Sequence, residues 1–243
     1  WSDGEHQARR CHSAFLEKPM SIYEVYLGSW KKGYQGDWDE DGFLNYRQLA
    51  DQLAEYVAYM GYTHVELLPL TEFPLPASWG YQTTGYYAAT SRYGTPEDLM
   101  YLIDRLHQEN IGVIMDWVPS NFPKDSFALE RFDGTPLFES EDPKLGERPS
   151  WDTCLFNFAK PEVLSFLVSC ANFWFDKFHL EDDIIIDVLA MCFRPVLLIQ
   201  VVINNTCMIC IQFDSIGSAK VNFSKFDYIE VVDIACGISA FVI

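Results

Sequence analysis

The amino-acid sequence predicts an α/β fold, with helices and strands alternating around a parallel sheet. Three observations carry that prediction. Residues 63–70 and 111–115 are short apolar runs of Val, Ile, Leu and Met, each with the length of a buried strand. Between them, Leu99, Leu102, Ile103 and Leu106 recur at the spacing of one helix face. A strand, a helix and a strand at this separation form a βαβ unit, which makes the two strands parallel.

The elements follow in order. Trp1–Lys18 is polar and irregular and reads as a linker or the end of a preceding domain. Ser21–Trp30 alternates and ends in Gly-Ser-Trp, as a first strand would. Lys31–Gly42 is a charged loop. Tyr46, Leu49, Leu53, Tyr56, Val57 and Met60 share a helix face, and Gly61 stands where a left-handed residue closes a helix. The strand at 63–70 is closed by Pro69. The loop Ser78–Tyr87 after it is dense in aromatics and glycine.

Thr95 is placed to cap the next helix. Pro96 suits its first position, and Asp98 can reach back to the cap. Ile111–Met115 is the following strand, and Asp116 leaves its end, either as a functional carboxylate or as the cap of a helix or turn. Phe122–Asn157 is a long excursion rich in proline and glycine, of a length that is usually functional or disordered. Pro161–His179 reads as a helix with Leu164, Leu167, Val168, Ala171, Trp174, Phe175 and Phe178 on its apolar face. Asp183–Leu189 is apolar enough to be a fourth strand. The character then changes: all seven Trp precede residue 175, no Pro follows Pro195, and helix–strand alternation is no longer legible.

The formal net charge of −18 argues against nucleic acid and anionic membranes as partners. Aromatic residues make up 16% of the chain, which suits a sugar-binding cleft as well as a large core. Seven Cys without regular spacing read as free thiols in a reducing, cytoplasmic compartment. Cys207 and Cys210 form a single CxxC, too little for a zinc site. Residues 195–213 carry no charge, but Gln200, Asn204, Asn205, Thr206 and Gln212 interrupt them, so no membrane span is expected. The first residue is Trp, which points to a processed chain or a piece of a longer one, and no signal peptide is visible.

Several stretches together resemble a known family. Ser21–Trp30 (SIYEVYLGSW), Ser78–Tyr87 (SWGYQTTGYY), Ser91–Asp98 (SRYGTPED), Asp116–Ser120 (DWVPS) and Arg131–Thr135 (RFDGT) are similar, in order, to the bacterial glycogen branching enzymes of the α-amylase superfamily. The resemblance covers about residues 1–180. It implies the first half of a (β/α)8 TIM barrel, about four βα strands and incomplete, since the barrel alone typically needs about 250 residues. The expected domains are the trailing edge of a β-sandwich at 1–18, a partial catalytic barrel at 19–191 and a tail of unrelated character at 192–243.

The activity implied is cleavage of an α-1,4 glucan bond and transfer of the chain to a 6-hydroxyl, giving α-1,6 branches in glycogen synthesis. Retention of configuration in this chemistry uses a carboxylate nucleophile and a carboxylic acid about 5 Å apart, through a covalent glycosyl-enzyme. The scheme needs no metal and no organic cofactor. The partner is an α-glucan, glycogen or amylose-like chains. In a barrel of this kind the polar residues at the carboxyl ends of the strands line the site. By resemblance, Tyr81 is the ring beneath the sugar at the cleavage point, and Asp116 the supporting carboxylate of the third strand. Asn121 stands where the family usually has a sugar-contacting His. Trp79 and Gln82 are further motif members on the substrate side. Trp151 and Phe156 either stack on glucose units or pack the excursion onto the barrel.

The resemblance fails at the fourth strand. The family has a Gly-apolar-Arg-apolar-Asp motif soon after Phe-His. Here Phe178-His179 is followed by Asp182, Ile184 and Ile186 at the Gly, Arg and Asp positions. Asp187 is the nucleophile candidate, one residue out of register, and such a slip turns a strand side chain to the opposite face. No acid/base Glu is recognisable in the tail. The expectation is therefore a branching-enzyme fragment that is itself inactive. The alternatives are a catalytically dead glucan-binding remnant or pseudogene product, and another glycosidase or transglycosidase of the superfamily. A frameshift, a read-through intron and a divergent end would give the same tail.

Overall fold

The computed structural model describes residues 1–12, 19–33 and 42–180, together with the strands 198–200, 209–213 and 219–223. The chain divides into two units, Trp1–Glu181 and Asp182–Ile243. In the first, helix α1 spans Gly4–His12, strand β1 Ile22–Val25 and the short helix α2 Leu27–Trp30. Then come α3 (Tyr46–Met60), β2 (His64–Leu67), β3 (Thr71–Glu72) and β4 (Gly85–Ala89). Helix α4 spans Pro96–Gln108, β5 Gly112–Met115 and β6 Asn121–Pro123. The unit closes with α5 (Pro143–Gly146), β7 (Glu147–Arg148), β8 (Thr153–Leu155) and α6 (Pro161–Phe178).

Strands β1, β2 and β5 form a parallel sheet in that order. Glu24 faces Glu66 across the first pair, and Leu67 faces Met115 across the second. With helices α3 and α4 as the crossovers, this is the opening of a (β/α)8 barrel. The fourth strand, expected at Asp183–Leu189, lies outside the described residues.

Both helices begin with reciprocal caps. Asn45 pairs with Gln48 at the start of α3, and Thr95 pairs with Asp98 at the start of α4. Each cap is worth about 1 kcal/mol. Gly61 closes α3 at φ 77°, a left-handed conformation that a Cβ would strain. Leu49, Leu53 and Val57 of α3, with Leu99, Leu102, Ile103 and Leu106 of α4, are fully buried. At about 1.5–3 kcal/mol each, their burial outweighs the caps in holding the layer together. Tyr56 is only half-buried and Met60 is exposed, so the core side of α3 is completed by Ala50 and Ala54 instead.

Three expectations are corrected. Residues 4–12 are helical rather than irregular, and His6 of α1 stacks on His107 of α4. The first strand stops at Val25, and Gly28-Ser-Trp belongs to α2, where Ser29 and Trp30 donate their N–H groups to the Tyr26 carbonyl. Gly28 is required there, since a Cβ would lie 2.8 Å from the Tyr93 hydroxyl. The excursion is structured: β6, β8 and β7 form an antiparallel sheet over it. Phe156 is buried among Tyr86, Phe122, Phe138 and Phe166, which settles it as packing, whereas Trp151 stays exposed beneath the Arg148 guanidinium.

Within the second unit, β9 (Leu198–Gln200), β10 (Ile209–Phe213) and β11 (Ala219–Phe223) form an antiparallel sheet with β10 central. Part of the uncharged 195–213 stretch is thus strand. No helix among the described residues is long and apolar enough to cross a membrane.

Candidate functional site

The parallel sheet has two unlike faces. The Tyr23 ring meets Tyr56 of α3 at 5.3 Å, so Tyr23, Val25 and their register partners on β2 and β5 turn toward the helices. By alternation, Glu24, Glu66 and Ile114 turn the other way, to the side that becomes the interior of a barrel. Asp116 continues that set just past the end of β5, where its N–H still donates to the Leu67 carbonyl at 2.9 Å. It caps no helix. The residue is 1% exposed.

The loop after β3 brings Tyr81 to this carboxylate. A turn at Pro76–Ser78 leads into Trp79 at φ 54° and Gly80 at φ 97°. Gly80 has no alternative: an added Cβ would sit 2.5 Å from the Pro69 carbonyl oxygen. The Ser78 hydroxyl accepts from the Gly80 N–H, and the Tyr81 N–H donates to the Ser78 carbonyl at 3.0 Å. The Thr83 hydroxyl donates to the Gly80 carbonyl at 3.2 Å and meets the Thr71 hydroxyl at 2.8 Å, tying the loop to β3. So held, the Tyr81 hydroxyl donates to Asp116 Oδ2 at 2.5 Å.

Burial, then the hydrogen bond and charge of Asp116, then the charges of Glu24 and Glu66, raise the Tyr81 phenol far above its ordinary range. Tyr81 therefore stays neutral and can only donate to Asp116. The Glu66 carboxyl is raised as well, by burial and by Glu24 beside it. Glu24 and Glu66 are members of this acidic face that sequence reasoning missed. The available signal was a lone Glu at the same register position in two apolar strands. Among the described residues, no group of three or more His, Cys, Asp or Glu is placed to hold a metal ion.

The other candidates fall at different distances from this pair. Trp79 is 52% exposed, with its ring stacked on Tyr26 at 5.3 Å and 10°. Gln82 is half-buried next to Tyr81 and takes no part in the bond to Asp116. Asn121 is buried at the start of β6; its Oδ1 accepts from the Ser120 hydroxyl at 2.8 Å, and its backbone carbonyl accepts from Tyr86. The structure does not bond Asn121 to Tyr81 or Asp116. Asp187 lies outside the described residues.

Residues 32–135 match the family model for the alpha amylase catalytic domain. The chain is 54% identical over 181 residues to the 1,4-alpha-glucan branching enzyme GlgB of Cellvibrio japonicus, covering 74% of this chain and 24% of that protein. It is 55% identical over 190 residues to the enzyme of the same name from Cutibacterium acnes, covering 78% and 28%. It thus spans about a quarter of the length of these curated relatives. Among solved structures, the alpha-amylase of Geobacillus thermoleovorans, complexed with acarbose, superposes with a TM-score of 0.54 at 19% identity, over 66% of this chain and 38% of that one. An Anoxybacillus alpha-amylase superposes with a TM-score of 0.53 at 17% identity, over 66% and 39%. At that identity the likeness concerns the fold alone, and it is the fold built above from β1, β2, β5 and their helices. Over the matched stretch this chain is thus similar to 1,4-alpha-glucan branching enzymes at 54–55% identity, and residues 32–135 fit the alpha amylase catalytic domain.

Proposed function

We propose that this chain carries the sugar-facing part of a branching-enzyme site. The complete protein cleaves an α-1,4 glucan and transfers the chain to a 6-hydroxyl by double displacement, in the synthesis of glycogen. The observation that carries this reading is the Tyr81–Asp116 hydrogen bond at the carboxyl end of β5, with the exposed Trp79 ring on the same loop. Asp116 orients the Tyr81 ring, which stacks beneath one glucose unit. Trp79 offers a second stacking face. Gln82 and Asn121 complete the substrate side with amide donors and acceptors. The relatives named above support the substrate class, α-glucan. The domain limits at 18 and 191, and a cytoplasmic location, belong to the same reading.

The 243-residue chain itself has no branching activity in this reading. Asp187 is out of register, the Arg of the fourth-strand motif is missing, and no acid/base Glu is recognisable in the sequence. A glucan-binding remnant is the second reading, and it rests on that same departure.

Affinity electrophoresis through glycogen-containing native gels tests the sugar-facing site that both readings share. Retardation that Trp79→Ala and Tyr81→Ala abolish supports a sugar-facing site, and unretarded migration of the unaltered chain overturns it. Incubation with amylose, followed by debranching, should release no short chains; their release would overturn the inactivity.

A further inference from the structure

Outside the sugar-facing site, one buried cluster has no role so far. Asp3 is buried, and its Oδ2 lies 3.0 Å from His107 Nδ1 and 2.8 Å from His179 Nδ1. Gln7 Nε2 donates to the same oxygen at 3.1 Å. Trp1 stacks on the His179 ring at 4.0 Å and 16°, and His6 stacks on His107 at 4.1 Å and 6°. Ser2 donates to Asp104 through both its N–H and its hydroxyl. The first residues of the chain are thus strapped across the last turn of α4 and the end of α6.

Those two ends matter. Helix α4 feeds β5, the strand that leads into Asp116, and His179 is the residue from which the chain leaves α6. His179 closes α6 at φ 52°, a left-handed conformation that Gly adopts freely and an L side chain does not. Gly would relieve the backbone but could not reach Asp3. The side chain is therefore held where the backbone is strained, and the bond to Asp3 together with the Trp1 stack opposes that strain. A carboxylate facing Nδ1 also selects one imidazole form, with the proton on Nδ1.

We propose that Asp3 is a positioning residue. It sets the Nδ1–H form of His179 and thereby fixes the left-handed turn that directs the chain out of α6 and into the segment expected to be the next strand.

The test uses the full chain. Long-range ¹H–¹⁵N NMR of the histidine side chains should find the His179 proton on Nδ1; a neutral ring protonated on Nε2 alone overturns the proposal without any variant. Hydrogen exchange then compares the unaltered chain with Asp3→Asn, which removes the charge at constant shape. Amide exchange at residues 176–180 should rise by about tenfold or more, the effect of losing a hydrogen bond to a charged acceptor. Amides of α3 should be unchanged, which excludes global unfolding. Faster exchange confined to residues 1–12 would mean that the strap hangs on the barrel without positioning it, and would overturn the proposal. Gln7→Ala removes a single bond and leaves both histidines; it should fall between the two, which keeps the test available if Asp3→Asn does not fold.

Discussion

The Tyr81 hydroxyl donates to Asp116 Oδ2 at 2.5 Å, joining a loop and a strand end that are 35 residues apart. The bond leaves the Tyr81 ring at the mouth of the half barrel while burying the carboxylate that orients it. It also separates two contributions that substitution can tell apart.

Tyr81→Phe keeps the ring and deletes the donor. We expect a loss of about 1.5–3 kcal/mol in unfolding free energy, the cost of depriving a buried carboxylate of a hydrogen bond. Glycogen affinity should fall a few-fold, because the ring is kept but no longer oriented by Asp116, whereas Tyr81→Ala should weaken it tenfold or more, by roughly the value of a lost aromatic platform. Denaturant titration and affinity electrophoresis on the same preparations give both numbers.

Gly80→Ala should be among the more damaging single changes in the loop. The position combines φ 97° with a Cβ 2.5 Å from the Pro69 backbone oxygen, and a backbone atom cannot move aside cheaply. A destabilisation of about 2 kcal/mol or more is expected from strain and clash together. Limited proteolysis should begin to cut within residues 78–84.

Asp3 predicts an acid-side loss of stability. Burial alone would raise its carboxyl, but hydrogen bonds from His179, Gln7 and His107, and the charge of His179, hold it down at about 2, against an ordinary value of 3.8. A depressed folded-state value means that the stabilisation is complete above the ordinary value and is lost as pH falls from there to about 2. The difference corresponds to about 2 kcal/mol. Melting temperatures of the unaltered chain and Asp3→Asn should therefore differ most above pH 5 and converge toward pH 2.

Glu66 predicts the opposite slope. Its carboxyl is raised by burial and by Glu24, so the charged form is disfavoured in the fold, and stability falls as pH rises from the ordinary value through the raised one. Glu66→Gln should raise the melting temperature at pH 7, with the gain shrinking as pH falls through that window. A variant that melts lower at pH 7 would overturn this prediction.

Local rules accounted for much of the fold. The capping residue Thr95, the stop at Gly61 and the face Leu99–Leu106 are each decided by neighbours within a few positions, and each appears in the structure as the sequence implies. Tyr81 and Asp116 were singled out through motif resemblance, and the structure bonds them to each other. Short-range patterning misled where a long-range contact overrode it. Helix α1 has no strong pattern of its own and exists against α4. The strands of the excursion are two or three residues long, too short to show a period of two. Gly28 reads as the end of a strand until Tyr93 is seen to press against it.

By itself, then, the sequence determined the α/β class, helices α3, α4 and α6, and the resemblance of the matched stretch to branching enzymes, because periodicity, caps and motifs are properties of contiguous residues. Only the tertiary structure decided that Glu24 and Glu66 share a face with Asp116, that Phe156 is core while Trp151 is surface, and that Asp3 meets His107 and His179 across 104 and 176 positions. Those relationships depend on sheet register and on helix docking, which bring distant side chains within hydrogen-bond reach and leave no trace in local spacing.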